Sequence, residues 1–165
     1  MKNGISLDEI DLRILELLQE NAQTRFSDMA AELSVSSGTI HVRTKKLREM
    51  GVIVGSTIVL DLEVLGFTLR ALVGIGVNAG HPLSSVVSSL ESIPEVVSCR
   101  STTGRYSMIL EIVCKDALHL RTTLMDRLYS VKGISKIETF LNLEEHFKKP
   151  LSLLHEQQEG LISRA

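Results

Sequence analysis

An α+β chain, with three helices leading into a β-α-β-β-α-β unit, follows from three features of this sequence. Between Ile5 and Ile53 the apolar side chains recur at helical spacing, with start and stop signals for three short helices. From Leu69 to Leu143, four β-rich runs and two amphipathic stretches follow one another in that order. Residues 61–68 carry Gly66 and no periodicity, which places a linker there. The expected organisation is a helix-turn-helix unit over residues 1–60, a linker over 61–68, a sheet-bearing unit over 69–143 and a tail over 144–165.

Ser6-Leu7-Asp8-Glu9 has the pattern of a capping box, and Ile5 with Ile10 brackets it as a hydrophobic staple, so a helix should open there. Ile10, Ile14, Leu17 and Leu18 form its inner stripe, and Asn21-Ala22 closes it. Phe26, Met29, Ala30 and Leu33 repeat at i, i+3, i+4 and i+7, the inner edge of a second helix of about two turns. Ala30 is small where a third helix would cross, which permits the steep crossing of a helix-turn-helix, with Ser34-Val35 as the turn. Ser36 is the expected N-cap of the third helix, Val35 and Ile40 its staple, and Gly51 the left-handed residue that ends it. The run VIVGSTIVL, Val52 to Leu60, is rich in β-branched residues and reads as a short strand leaving the helices, so the helix-turn-helix is of winged type.

On the third helix, Ile40 and Leu47 fall on one side with Thr44 beside them, while Gly38, His41 and Lys45 fall on the other. Four cations, Arg43, Lys45, Lys46 and Arg48, stand against Glu49 alone. That local excess suits phosphate contact. The small residues Ser36, Ser37, Gly38 and Thr39 let the helix N-terminus approach a groove closely and offer N–H groups and hydroxyls to it.

In the second half, Val73, Ile75 and Val77 share one face of a strand from Leu69 to Asn78, and Leu72, Gly74 and Gly76 the other. Two glycines on one face leave room for a close approach, most simply by another subunit. The glycines of GIGVNAG lie within the strand and open no helix, so they do not form a dinucleotide-binding turn. Pro82 to Ile93 is an amphipathic helix. Val96 to Thr102 and Ser107 to Lys115 form a hairpin around Thr103-Gly104-Arg105-Tyr106. Ala117 to Val131 is a second helix with Leu118, Leu120, Leu124, Met125 and Leu128 mostly inward, ended by Gly133, and Ile134 to Leu143 is the last strand. This order is the split unit of a ferredoxin-like fold, with both helices on one face of an antiparallel sheet. Ile109, Val113, Ile137, Thr139 and Leu141 would give the other face enough apolar surface to favour face-to-face dimerisation.

The chain has 165 residues and a formal net charge of −2, so nucleic-acid affinity has to come from local placement of charge rather than from the whole. No apolar leader opens it and no run of some 20 apolar residues occurs, which points to a cytoplasmic protein with no membrane partner. Cys99 and Cys114 fall at different distances from the hairpin turn and are expected to stay free. No histidine, cysteine or carboxylate spacing calls for a metal, and no cofactor is expected. The tail, with Pro150 and a Leu-bearing segment, is expected to latch onto a neighbouring subunit or to fray.

A helix-turn-helix closed by SVSSGTIHVRTKKLREMGVI and followed by a domain whose central hairpin reads STTGRYSMILEI resembles the Lrp/AsnC family. The pieces SGTIHVR and TTGRYS look most like its asparagine-responsive branch. The resemblance implies a transcription regulator that binds double-stranded promoter DNA. It also implies a homodimer that assembles further, to an octamer, and a small amino-acid effector held between dimers. Carried onto this sequence, it puts His41 and Lys45 toward the groove, Ser36, Ser37, Gly38 and Thr39 near the bases, and Arg25, Lys46 and Arg48 on phosphates. Arg43 lies closer to the inner face, where a phosphate contact and an ion pair with the first helix are equally open. The effector cleft falls around Thr102, Thr103, Gly104, Tyr106 and Ser107, with Thr139 from the last strand. Glu138 or Glu111 is available for the effector's ammonium group. An architectural DNA-binding protein without amino-acid response is the alternative. Some haem-biosynthesis decarboxylases also resemble the family, but the scattered histidines here give no catalytic spacing, so an enzyme is not expected.

Overall fold

Helix α1 (Glu9–Glu20) is capped by Asp8. Its carboxylate accepts the Asp11 N–H at 2.9 Å, and the Asp11 carboxylate accepts the Asp8 N–H at 3.3 Å. The capping box therefore sits two residues beyond the Ser6 box read from sequence. The carboxylate of Asp8 also meets the Arg43 guanidinium, a partner that favours a charged cap at this position. These features come from a computed structural model that describes residues 6–154, so Ile5 of the expected staple lies outside the described residues.

Helices α2 (Phe26–Glu32) and α3 (Ser37–Glu49) complete the first unit. Ser34, at φ 54°, makes the left-handed step between them. Ser36 accepts the Thr39 N–H at 3.1 Å, and Gly51, at φ +72°, ends the last turn, as the sequence signals require. Leu12, Ile14, Leu15, Met29, Ala30, Ile40 and Leu47 form the core of this unit. The tail joins it. Leu153 and Leu154 pack against that core, and Glu16 accepts the Leu154 N–H at 3.3 Å. At Leu153 and Leu154 the tail thus docks on the chain's own helices, in place of the expected latch onto a neighbouring subunit or frayed end; residues 155–165 lie outside the described residues.

The run after α3 departs from expectation. Val52 and Ile53 pack on the helical core, but Val54, Ile58, Val59 and Leu60 are exposed, and residues 54–60 pair with no strand among the described residues. β-branched composition favours a strand only when a partner supplies the ladder.

The chain divides into two units, one running to Ile58 and including the segment from Phe147, the other spanning Val59–His146. The second contains β1 (Leu69–Val77), α4 (Leu83–Glu91), β2 (Val96–Ser101), β3 (Met108–Cys114), α5 (Ala117–Thr122) and β4 (Ile134–Leu141). Its strands form an antiparallel sheet in the order β2-β3-β1-β4, which with two covering helices is the ferredoxin-like arrangement. Ala71, Val73, Ile75, Met108, Leu110 and Ile112 pack beneath Val86, Leu90, Leu120 and Leu128. Cys99 and Cys114 are free.

Two expectations fail here, both over which side chains face inward. Helix α5 continues as a π-helical turn, Thr123–Leu128, and by 100° steps Leu118 and Met125 lie about 160° and about 140° around from Leu120, on the outer side. Leu120, Leu124 and Leu128 stay on the core while Leu118 and Met125 are 67% and 54% exposed. In β4, Val73 pairs with Thr139 and Ile75 with Ile137, so Ile137, Thr139 and Leu141 lie on the helix-covered face. The open face carries Ile109 and Val113, as expected, together with Leu72, Glu111, Lys136, Glu138 and Phe140. One residue of phase exchanges the two faces of a strand, and the alternation in β4 is too weak in sequence to fix it.

Candidate functional site

Helix α3 exposes one continuous polar surface. Ile40, Thr44 and Leu47 are buried, so by 100° steps Gly38, Val42, Lys45 and Glu49 point most directly away from the core. Ser36, Ser37, Gly38, His41, Lys45, Lys46 and Arg48 are all exposed. Thr39 is half-buried, its hydroxyl 2.9 Å from that of Ser36, so these two side chains rigidify the helix start. The His41 ring rests edge-on against Phe26, with centroids 5.8 Å apart. Lys45 lies 3.8 Å from Glu49, a loose exposed pair that leaves its ammonium available. Arg25, exposed at the start of α2, gives its carbonyl to the Asp28 and Met29 N–H groups and leaves its side chain outward.

Two of the cations are oriented differently from the rest. Arg48 borders a depression with Leu15, Leu18 and Val52, toward α1. Arg43 donates to Asp8 at 2.6 Å and to Asp11 at 2.9 Å, so the open question about it resolves to an ion pair with the first helix and its cap. Burial alone would push the Asp8 carboxyl up, but the Arg43 hydrogen bond and the Asp11 N–H outweigh it and hold Asp8 below its ordinary value. The same contacts raise Arg43. Arg43 thereby fixes the angle of α3 on α1.

The second cluster centres on Gly74. A Cβ there would meet the Tyr106 ring at 2.8 Å, so the space left by this glycine is filled by the chain's own aromatic ring and not by another subunit. Glu138 pairs with Gly74 across β1 and β4. Its carboxylate lies 3.3 Å from the Arg105 guanidinium and 3.1 Å from the Lys136 ammonium, and both cations sit 5.5 Å from the Tyr106 ring centroid. Phe140 closes the group edge-on, 6.3 Å from Tyr106. The buried Tyr106 hydroxyl makes no hydrogen bond of normal geometry among the described residues. The neighbouring Glu138 carboxylate, together with burial, raises it, and Glu138 is lowered in return by Tyr106 and Lys136.

The turn itself is held from within. The Thr102 N–H donates to the Ser107 carbonyl at 3.1 Å and the Thr102 hydroxyl to the Tyr106 carbonyl at 3.0 Å. Ser107 donates its N–H to the Ile75 carbonyl at 2.8 Å, and its hydroxyl accepts the Val77 N–H. Gly104, at φ +98°, allows the reversal, and Thr103 is exposed beside it. Tyr106 and Glu138 are therefore together, with Thr102, Thr103, Gly104 and Ser107 adjacent in the turn. Thr139 is not among them, because it faces the helix-covered side. Glu111 shares the open face. A carboxylate beside two cations and a glycine turn provides opposite charges for the two ends of a zwitterion.

The sequence reading missed Arg105, Lys136 and Phe140 around Tyr106, and Val42 on α3. Gly74 was the visible signal for the first group, since a glycine inside an apolar strand marks a close approach. For Val42 the signal was its position in the helical wheel.

Comparison with known proteins agrees with both units. Residues 7–54 match a winged helix-turn-helix DNA-binding family and residues 70–151 the Lrp/AsnC ligand binding domain. The chain is 32% identical over 139 residues to the regulatory protein AsnC of Haemophilus influenzae, covering 84% of this chain and 93% of that one. The solved structure of Escherichia coli AsnC superposes with a TM-score of 0.84 at 30% identity, covering 90% of this chain and 99% of that one. A transcriptional regulator from Neisseria meningitidis, solved as a complex with L-methionine, has the same fold, with a TM-score of 0.87 at 24% identity over 92% of this chain and 99% of that one. A capped DNA-reading helix and a ligand-binding sheet domain, each matched in its own place along one chain, make this protein a member of the Lrp/AsnC family of transcriptional regulators.

Proposed function

We propose that this chain is a sequence-specific regulator whose DNA binding or assembly responds to a small amino acid, with asparagine the first candidate. The observation that carries the DNA half is α3, a helix capped by Ser36, braced by Arg43 and exposing a polar, basic face. His41 and Lys45 act toward the groove, Ser36, Ser37, Gly38 and Thr39 near the bases, and Arg25, Lys46 and Arg48 on phosphates. Arg48 is the weakest member of that set, given its lean toward α1.

The effector half rests on the Tyr106 cluster. Glu138 takes the ammonium group. The Thr102–Ser107 turn, with Arg105 or Lys136, takes the carboxylate, while Thr139 acts only through the sheet. The open sheet face, with Leu72, Ile109 and Phe140, serves as the dimer surface, and dimers assemble further, to an octamer, in the cytoplasm. The Neisseria complex supports an amino acid as ligand class without selecting asparagine. One observation favours the architectural alternative: Glu138 is already paired with two cations of its own chain.

Calorimetric titration with a panel that includes asparagine and methionine, repeated by sizing with and without the best ligand, tests this reading. Selective binding with a change of size supports it. Absence of binding by any amino acid, with DNA binding intact, leaves the architectural regulator.

A further inference from the structure

The outer face of α3 carries one side chain that its expected role in phosphate and polar base contact does not use. Val42 is 65% exposed and is the only large apolar residue exposed on this helix. Relative to Ile40 it lies about 200° around the helix, closer to the outward direction than His41 at about 100°. Gly38, one turn earlier on the same face, has no side chain, and a Cβ there would meet only the Ser36 hydroxyl, at 3.6 Å. A groove wall can therefore come close to the helix axis beside Val42. Lys46 and the Ser36 and Thr39 hydroxyls border the same depression. Arg43, which borders it too, is committed to Asp8 and Asp11.

An exposed branched apolar side chain amid cations packs on nothing among the described residues of the free protein and is useful against a duplex. In the major groove the one apolar feature of the base edges is the C5-methyl group of thymine. We infer that Val42 is a specificity-determining residue that packs on a thymine methyl, so the preferred site contains a thymine at a fixed position opposite the middle of α3. The inference rests on the proposed reading of DNA by this helix. It adds a discrimination that hydrogen-bonding side chains on α3 do not provide.

Deoxyuridine differs from thymidine by that methyl alone, which allows a direct test. The full-length protein first selects duplexes from a random pool. Each thymine of the selected site is then replaced singly by deoxyuridine, and affinities are measured for the wild type and for Val42→Ala at one salt concentration. Removing one buried methyl should weaken wild-type binding roughly fourfold at one position or its symmetry mate. In Val42→Ala that loss should vanish, while the effects of changing other base pairs persist. Circular dichroism should be unchanged, because Val42 supports no core contact. The same deoxyuridine profile in both proteins overturns the role of Val42 and leaves DNA reading intact. A selection that enriches no sequence overturns the DNA reading on which the inference stands.

Discussion

At Gly74 the absence of a side chain decides the shape of a site. The Tyr106 ring occupies the place of the missing Cβ, so Gly74→Ala should displace the ring, cost about 1–3 kcal/mol and abolish amino-acid binding. Calorimetry alongside thermal unfolding of the variant checks both parts. Thr44 presents the opposite case. It is 1% exposed on the inner face of α3, and its hydroxyl has no hydrogen-bond partner among the described residues. Thr44→Val keeps the shape and removes an unsatisfied polar atom, so denaturant unfolding should report a gain of about 1 kcal/mol.

Among the elements, two ion clusters hold helices in place. Arg43 ties α3 to the start of α1, and Asp11 is nearly buried beneath it. Arg43→Met would strand that carboxylate and should cost the helical unit about 3 kcal/mol, read by its thermal midpoint. Glu95, in the loop before β2, accepts from Arg127 at 2.6 Å and pairs with His119 at 3.0 Å, which fastens α5 and its π-helical turn to the sheet. Burial would raise Glu95, but His119 and Arg127 outweigh it and hold it below its ordinary 4.5. A carboxylate lowered on folding stabilises above its unfolded pKa, and that contribution fades as pH falls from there through the folded value. The stability deficit of Glu95→Gln should therefore be full at pH 7 and shrink below about pH 4.5; a deficit independent of pH would exclude this origin.

The same scale marks what was legible beforehand. Ser36, Gly51, Gly104 and Gly133 announce their caps and turns, because local backbone chemistry fixes them. All three N-terminal helices and four of the strands were readable for that reason. The facing of β4 was not, since Ile137, Thr139 and Leu141 compete with Phe140 for the apolar phase and only the pairing with β1 decides. Nor was the π-helical turn after α5, which has no local sign, although the exposure of Leu118 and Met125 follows from plain helical steps, which put them about 160° and about 140° around from Leu120. On α3 the site was largely visible, for a capped helix with a basic face can be read one residue at a time. At the hairpin it was half visible: the turn residues, Arg105 among them, are adjacent in sequence, but Lys136, Glu138 and Phe140 gather around Tyr106 only once the sheet register is set.

For the whole molecule, a net charge of −2 means that DNA affinity depends on a few local cations. Lys46→Ala should lower affinity for every duplex by a similar factor and reduce the salt slope by about one, without changing the preferred sequence. Salt-dependent anisotropy checks this, and an unchanged slope would take Lys46 off the phosphate backbone. Between the two halves of the chain the claim is one of coupling, and coupling is a free energy that each ligand exerts on the other. The most direct measurement is therefore the affinity of the full-length protein for its selected duplex as asparagine, methionine and other amino acids are added, for the wild type and for Tyr106→Ala. A shift of roughly fivefold or more with one amino acid, absent in Tyr106→Ala, is the expected result. Affinity that stays constant with every amino acid at millimolar concentration would contradict an effector-responsive regulator.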